Sequence, residues 1–342
     1  MKRTVIIALL FIGGMASFAC AQASTNTFSL LIIGDVIFES SWRPPFRPAE
    51  KLFEHVQGEF EKADHVWINL EEPITRHPQK SPFKNLESVR RGKDFILRAT
   101  NSNIPRIIRD SGIDSVTLAN NHMGDYCSQG VTDTLKGLEV AGVPTVGAGR
   151  TPAEAYRPIV LSSKDITVSL LAFSDVYPSG FEAAKNRAGI AGARNEGAVR
   201  TAVEKARESS DFVIVMMHWG EHATSTVTLR QQALGRRLID WGADAVAGMH
   251  AHFLQGIEVY DGKPIFYGLG NFAFPGSKPQ SKRTAAIKLF LEKGKEVRAN
   301  LMPAVISDDG QPRFVNGEDI LEELDGLCRE FGVSVYPLFS SR

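Results

Sequence analysis

Two histidines at a spacing of two, His250 and His252, are the residues of this sequence best suited to metal chemistry. They follow an apolar run that ends in glycine, within the stretch DAVAGMHAHF. Residues two apart in an extended segment point to the same face, so both imidazoles would lie side by side. Imidazole is a common ligand of transition metals. The spacing therefore suggests part of a metal site, although a single pair of histidines is weak evidence by itself.

Four other strand-like apolar runs also end in residues that can bind a metal. The runs and the residues that follow them are 28–33 with Asp35, 65–69 with Glu71, 114–118 with Asn120, Asn121 and His122, and 212–217 with His218. Each of these residues alone has an ordinary explanation as a turn or cap residue. Their repetition at five strand ends favours one shared site. Carboxylate, amide and imidazole together favour Mn, Fe or Zn over calcium, and the lack of a thiolate cluster argues against a structural zinc site.

Strand-like runs alternate with helix-like segments, which is typical of an α/β fold. Apolar residues at helical spacing predict helices at 49–63, 104–111, 131–141, 196–209, 230–242 and 320–330, and two runs, 284–291 and 296–305, predict a hairpin. We expect parallel strands of one sheet to bring the five loops to a common edge. No linker or change of composition divides the chain, so we expect a single domain over residues 24–342.

The charge balance limits the partners. The 342 residues include 39 Lys and Arg and 39 Asp and Glu, so the formal net charge is zero. This argues against nucleic acid as the main partner. The polar and basic stretch 76–93 is either a solvated loop, which we favour, or a flap that binds anions. The Gly- and Ala-rich stretch 177–195 predicts a mobile surface excursion.

Residues 1–23 have the pattern of a signal peptide. Lys2 and Arg3 precede a short apolar core, and A-x-A cleavage patterns follow it. We therefore expect an exported protein that works in the periplasm or outside the cell. Lipidation of Cys20 would attach it to a membrane, but the preceding residues form a poor lipidation signal. Cys127 and Cys328 would remain in an oxidising compartment, where they either pair or stay free.

The strand-end motifs also resemble a known family. The segments GDVIF, NLEEPIT, LANNHMGDY, HWGEH and GADAVAGMHAHFLQGIEVYDGKPIFYGLGNF occur in an order similar to that of the CapA/PgsA family. These are poly-γ-glutamate capsule proteins of the calcineurin-like metallophosphoesterase superfamily, and the match runs from about Ser29 to Phe274. The resemblance implies a four-layer α/β/β/α sandwich with a metal centre at the sheet edge.

The resemblance also implies a role for each strand-end residue. Asp35 and His252 would hold a first metal, Glu71 would bridge two metals, and Asn121, His218 and His250 would hold the second. His122 would be the general acid that protonates the leaving oxygen, and Asp125 would orient it. Two positions depart from the pattern. Ile37 stands where related phosphoesterases usually have a histidine, so the first metal loses a ligand or the site holds one metal, and Cys127 stands where relatives usually have glycine.

The implied chemistry is metal-assisted hydrolysis of a phosphoester or an anionic polymer. The family name points to capsule or envelope polymer synthesis, anchoring or cleavage, with capsule-synthesis membrane proteins as candidate partners. The alternative is an accessory protein with a degenerate metal site, which binds polymer or a partner without catalysis.

Overall fold

The computed structural model describes residues 26–39, 47–92, 94–276 and 278–338. Its strands are β1 (Phe28–Val36), β2 (His65–Leu70), β3 (Ser115–Thr117), β4 (Thr145–Val146), β5 (Ala148–Gly149), β6 (Ile159–Ser163), β7 (Ile166–Ser174), β8 (Gly189–Ile190), β9 (Phe212–His218), β10 (Ala245–Met249), β11 (Ile257–Tyr260), β12 (Lys263–Phe266), β13 (Asn271–Ala273), β14 (Arg283–Leu291), β15 (Arg298–Ile306) and β16 (Pro312–Phe314). The α-helices are α1 (Gln57–Phe60), α2 (Leu86–Arg90), α3 (Ile104–Asp110), α4 (Cys127–Ala141), α5 (Pro152–Ala155), α6 (Glu196–Ser209), α7 (Leu229–Asp240) and α8 (Glu318–Cys328), and short 3-10 helices span Ala49–Lys51, Pro279–Lys282, Arg329–Phe331 and Tyr336–Leu338.

Most strands belong to two large sheets. The first has the order β16-β15-β14-β1-β2-β3-β4, with β13 added beside β1, and its strands β1 to β4 are parallel. The second has the order β11-β12-β10-β9-β7-β6, and its four central strands are parallel. The predicted hairpin is the antiparallel pair β14 and β15. The expectation of a single sheet was therefore wrong, because the strands that carry the candidate ligands are divided between two.

Alternation of side chains along the strands builds the layers. In β1, Leu30 and Ile32 face the core between the sheets, together with Ile214 of β9, whereas Leu31 and Ile33 face the core under α3 and α4. The other face of the second sheet packs against α6 and α7. Successive residues of a strand point to opposite faces of its sheet, and both faces of these parallel strands are buried. Each such strand is therefore a continuous hydrophobic run in the sequence. The layers are α/β/β/α, which confirms the predicted sandwich.

Two local expectations were wrong. The 49–63 stretch is a 3-10 helix, then hydrogen-bonded turns and the short α1, although Phe53 and Phe60 are buried as its periodicity indicated. Both rings pack against aromatic neighbours, and this tertiary packing replaces a regular helix. The 177–195 stretch is not a surface excursion, because Tyr177 and Phe181 are buried in the core and β8 pairs with β5.

The predicted signal peptide, with Cys20, lies outside the described residues. Within the described part of the chain, no helix combines the length and the apolarity needed to cross a membrane. Cys127 and Cys328 are both free thiols. Cys328 is buried, where its sulfur accepts a hydrogen bond from the backbone of Ile257.

Candidate metal centre

Three parallel strands of the first sheet deliver oxygen donors to one edge. Asp35 lies near the end of β1, Glu71 directly follows β2, and Asn121 follows β3. Asn69 holds Asp35 in place, because its side-chain amide donates a 2.7 Å hydrogen bond to Asp35 Oδ1. Asn120 links the turn after β3 to β2, since its amide donates to the Leu70 carbonyl at 2.8 Å. Both amides lie in buried positions and fix the carboxyl ends of neighbouring strands relative to each other.

Two parallel strands of the second sheet deliver imidazoles to the same place. His218 is the last residue of β9, and His250 and His252 follow β10. The His-x-His segment is not extended as the sequence suggested: His250 has a φ of 92° and His252 a φ of 58°. This left-handed region is unfavourable for a residue with a side chain, by about 1–3 kcal/mol, and such outliers often mark functional sites. The backbone N–H of His250 donates to Asp35 Oδ2 at 3.1 Å, which joins the two sheets.

The candidate ligands form two groups that share one carboxylate. In the first group, Asp35, Glu71 and His252 have donor atoms within 4.8 Å of one another, and in the second, Glu71, His218 and His250 do so. Asn121 Oδ1 lies 2.7 Å from His218 Nε2, beside the second group. The structure therefore brings together all six residues predicted as ligands. Their division into two groups follows the pattern in which Glu71 bridges two metals.

Glu71 shows that these residues fit a cation. It is fully buried, yet neither carboxylate oxygen has a hydrogen-bond partner among the described residues. Burial, reinforced by the negative charge of Asp35, raises the pKa of Glu71 well above its usual range. Burial also lowers the pKa values of His218 and His250 well below the usual range, which favours the neutral imidazole that binds metals. A divalent ion would satisfy the unpartnered oxygens and hold the carboxylate ionised.

His122 and Asp125 form a buried pair beside this centre. His122 Nδ1 lies 2.7 Å from Asp125 Oδ2, which also accepts a 2.8 Å hydrogen bond from the backbone of Leu97. The pair leaves Nε2 of His122 as the nitrogen that can meet a bound molecule. Burial raises the pKa of Asp125 to about 8, although the nearby Lys84 ammonium acts in the opposite direction.

Lys84 belongs to the basic stretch that the sequence predicted as a solvated loop. Its ammonium instead lies in a buried position, 3.3 Å from Asp125 Oδ1 and 3.2 Å from Asp94 Oδ1. It also donates to the Phe95 carbonyl at 3.0 Å. Other cations of the stretch, such as Lys80, are exposed as expected. Lysine in a polar sequence gave no signal that would separate the buried one from the others.

A cavity of about 420 Å³ opens over the candidate ligands. Its lining is both polar and apolar. The polar lining residues include Asn121, His122, His222, His250, His252, Asn271 and Lys278, and the apolar ones include Phe95, Leu97, Phe253 and Phe274. His222 and Asn271 were not predicted as site residues. The Oδ1 atom of Asn271 accepts a 2.7 Å hydrogen bond from His252 Nδ1, so this ring nitrogen carries the proton and Nε2 remains for a metal. The signal for His222 was its place in the HWGEH motif.

This fold and this edge define a class of protein. An α/β/β/α sandwich with carboxylate, amide and imidazole donors at the carboxyl ends of its strands is of metallophosphoesterase type. A solved structure titled as a putative 5'-nucleotidase from Staphylococcus aureus, in complex with alpha-ketoglutarate, has the same fold with a TM-score of 0.52 and 14% sequence identity. The similarity covers 88% of this chain and 58% of that chain.

The chain belongs to the family described as bacterial capsule synthesis protein PGA_cap, whose model matches residues 29–276. It is 33% identical over 261 residues to the PGA biosynthesis protein CapA of Bacillus subtilis (strain 168). It is also 35% identical over 250 residues to a probable polyglutamine synthesis accessory protein of Mycobacterium tuberculosis. These matches cover 76% and 70% of this chain, and 66% and 61% of the respective relatives. The chain thus matches no more than about two thirds of the length of these relatives.

Proposed function

We propose that this protein is a metal-dependent hydrolase of an anionic substrate, a phosphoester or an anionic polymer. The observation that supports this most directly is Glu71, a buried carboxylate without hydrogen-bond partners that is common to both donor groups. One or two Mn, Fe or Zn ions would be held by the two groups together with Asn121. When bound, such ions neutralise charge that develops on the substrate and activate water.

The residues around the centre have separate roles in this proposal. His122 protonates the leaving oxygen, and Asp125 fixes the orientation of its ring through the 2.7 Å contact at Nδ1. Burial lowers the pKa of His122 well below its usual range, so an anionic substrate beside it would favour the protonated form.

The names of the relatives support a proposal about the biological setting. Their names connect them to PGA biosynthesis and polyglutamine synthesis. We propose that this chain acts in the synthesis, anchoring or cleavage of poly-γ-glutamate or another envelope polymer, in contact with membrane proteins of that pathway. The signal-peptide pattern of residues 1–23 supports export to the periplasm or the cell surface.

To test this proposal, metal content and hydrolysis of an aryl phosphate are measured for the wild type and for the variants His250→Ala and His122→Asn. We expect one or two equivalents of Mn, Fe or Zn and hydrolysis of an aryl phosphate by the wild type. His250→Ala should lose metal and activity together, whereas His122→Asn should retain the metal and lose about 10²- to 10⁴-fold in kcat, as is typical of a lost general acid. A wild-type chain without stoichiometric metal after reconstitution would overturn the proposal.

The second candidate is a binding protein without catalysis, and one position favours it. Ile37 is buried with Leu97 and Phe274 and offers no ligand where related phosphoesterases usually have one. Metal uptake together with binding of polyglutamate, but with neither aryl phosphate nor polymer hydrolysed, would favour this candidate over the hydrolase.

A further inference from the structure

The two donor groups differ in their number of imidazoles. The second group contains His218 and His250, whereas the first contains only His252 beside the two carboxylates. Position 37 cannot correct this difference, because Ile37 is apolar and fully buried. Three protein ligands leave a metal at the first group with open positions. A further side chain of the cavity could occupy one of these open positions.

His222 is a further imidazole that lines this cavity. The loop after β9 runs along the His-x-His segment, because Trp219 N–H donates to the Met249 carbonyl and Ala223 N–H donates to the Ala251 carbonyl, at 3.2 and 2.9 Å. Ala251 separates the two histidines, so the second bond ties the neighbour of His222 to the metal segment. The turn needs Gly220 with a φ of 86°. His222 is consequently held by the backbone beside the cavity, which its side chain lines.

The distances between imidazole rings indicate which rings can share an ion. A ligating nitrogen lies about 2.1 Å from a metal and about 1.1 Å from its own ring centre, so two imidazoles on one ion, roughly 90° to 109° apart, have ring centres about 4.5 to 5.2 Å apart. The His218 and His250 centres are 4.8 Å apart, as two ligands of one ion require. The His222 and His252 centres are 5.1 Å apart and meet the same requirement.

The two pairs that include His250 and either His252 or His222 do not meet it. The His250 and His252 centres are 6.0 Å apart, and the His222 and His250 centres are 6.3 Å apart. The four rings therefore divide into two pairs, one for each donor group. His222 is the more exposed ring of its pair and does not belong to the close group of Asp35, Glu71 and His252, so its ring must move toward that group to ligate the same ion.

We propose that His222 is a ligand of the first metal and supplies the imidazole that position 37 lacks. This inference rests on the proposed metal centre. Its consequence is that the first metal has four protein ligands: two carboxylates and two imidazoles. The cation beside the substrate is then held partly by the loop after β9.

Stepwise metal binding to the apoprotein tests the inference. Co²⁺ is titrated into wild type, His222→Gln, His222→Asp and the matched control Glu221→Ala, and both visible absorption and bound metal by elemental analysis are measured. Glu221 is the exposed neighbour on the same loop and does not line the cavity. We expect two equivalents in wild type and in the control. His222→Gln should bind one equivalent as wild type does and the other at least about 10-fold more weakly, with a changed Co²⁺ spectrum. His222→Asp should recover much of the affinity, because carboxylate can also ligate.

Three results would overturn the inference. Two equivalents of unchanged affinity and spectrum in His222→Gln would show that His222 is not a ligand. A single equivalent in wild type that is unaffected by His222→Gln would also contradict it and would leave the hydrolase proposal standing. A wild-type chain that binds no metal would contradict both proposals.

Discussion

At the scale of single residues, Lys84 connects the cavity wall with the His122–Asp125 pair. Lys84 lies in a polar loop, yet its ammonium is buried between Asp94 and Asp125. The same ammonium contacts Asp94, which lines the cavity, and Asp125, the partner of His122. Lys84 therefore holds the loop against the carboxylate that orients the proposed acid, while its charge helps to lower the pKa of His122.

Lys84→Met should destabilise the protein. Removing one partner of a buried ion pair leaves an uncompensated charge and typically costs about 3–5 kcal/mol. The pKa of Asp125, already about 8, should rise further, because the lysine is the charge that lowers it. Urea unfolding would measure the loss. The exposed Lys80→Met is the matched control and should change the free energy of unfolding by no more than about 0.5 kcal/mol. Equal stability of both variants would contradict this role of Lys84.

At the scale of the elements, the loops of the site depend on very close backbone contacts. A Cβ atom on Gly248, in β10, would lie 1.9 Å from the Tyr267 carbonyl oxygen and 2.4 Å from Trp219 Nε1. The same carbonyl accepts a 2.9 Å hydrogen bond from that indole. β10 therefore needs glycine two residues before His250 so that the neighbouring chain can pass.

Gly248→Ala should destabilise the fold by about 1–3 kcal/mol or more, the usual cost of overpacking a core, because the atoms it meets include backbone. It should also weaken metal binding by displacing the His-x-His segment. Thermal unfolding and metal titration would measure the two effects. Gly58→Ala is the control, since a Cβ there meets nothing within 4 Å and should stabilise α1 by about 0.5–1 kcal/mol. A Gly248→Ala protein with wild-type stability would contradict the tight contact.

The first residue of β2 makes stability depend on pH. His65 is buried with its Nε2 2.8 Å from Ser115 Oγ, and burial lowers its pKa. The unfolded chain, with a pKa of about 6.5, then binds a proton before the folded chain does, so stability is complete above that pH and falls below it. His65→Gln should reduce the slope of unfolding free energy against pH by up to about 1.4 kcal/mol per pH unit below pH 6.5. Urea unfolding between pH 7.5 and 5 would show this, and an unchanged slope would contradict it.

The elements were predictable where local pattern decides them. α6 has the bounds that its periodicity predicted, Glu196–Ser209, because a charged outer face and buried Val199 and Val203 agree with one helix. The prediction of a regular helix at 49–63 was wrong because tertiary contacts determine the backbone there. Phe53 packs against Phe38, which is distant along the chain, and against Phe60. The left-handed φ values of His250 and His252 were also beyond prediction, since positive φ is uncommon for any residue other than glycine, histidine included.

At the scale of the whole molecule, the sequence predicted that the carboxyl ends of the strands meet at one edge. The apolar runs did not predict that these strands belong to two sheets. Each apolar run is equally consistent with a single parallel sheet and with two, because both bury the strand on two faces. Only the resemblance to a known family implied the sandwich, which the fold confirms. The division into sheets has a chemical consequence: Asp35, Glu71 and Asn121 come from the first sheet, and the three proposed histidine ligands of strands β9 and β10 come from the second.

A metal at this centre would therefore connect the two sheets, and we expect its binding to stabilise the whole fold. A ligand that binds only the folded state adds about 2.7 kcal/mol at 100 times its Kd. Unfolding free energy should be higher with Mn or Zn than in EDTA for the wild type. His218→Ala should remove most of this difference, because it removes an imidazole that the second sheet contributes. The control His55→Ala, which changes a histidine beside Glu54 and outside the metal centre, should retain the difference. Equal stability of the wild type with metal and in EDTA would show that no ion connects the sheets.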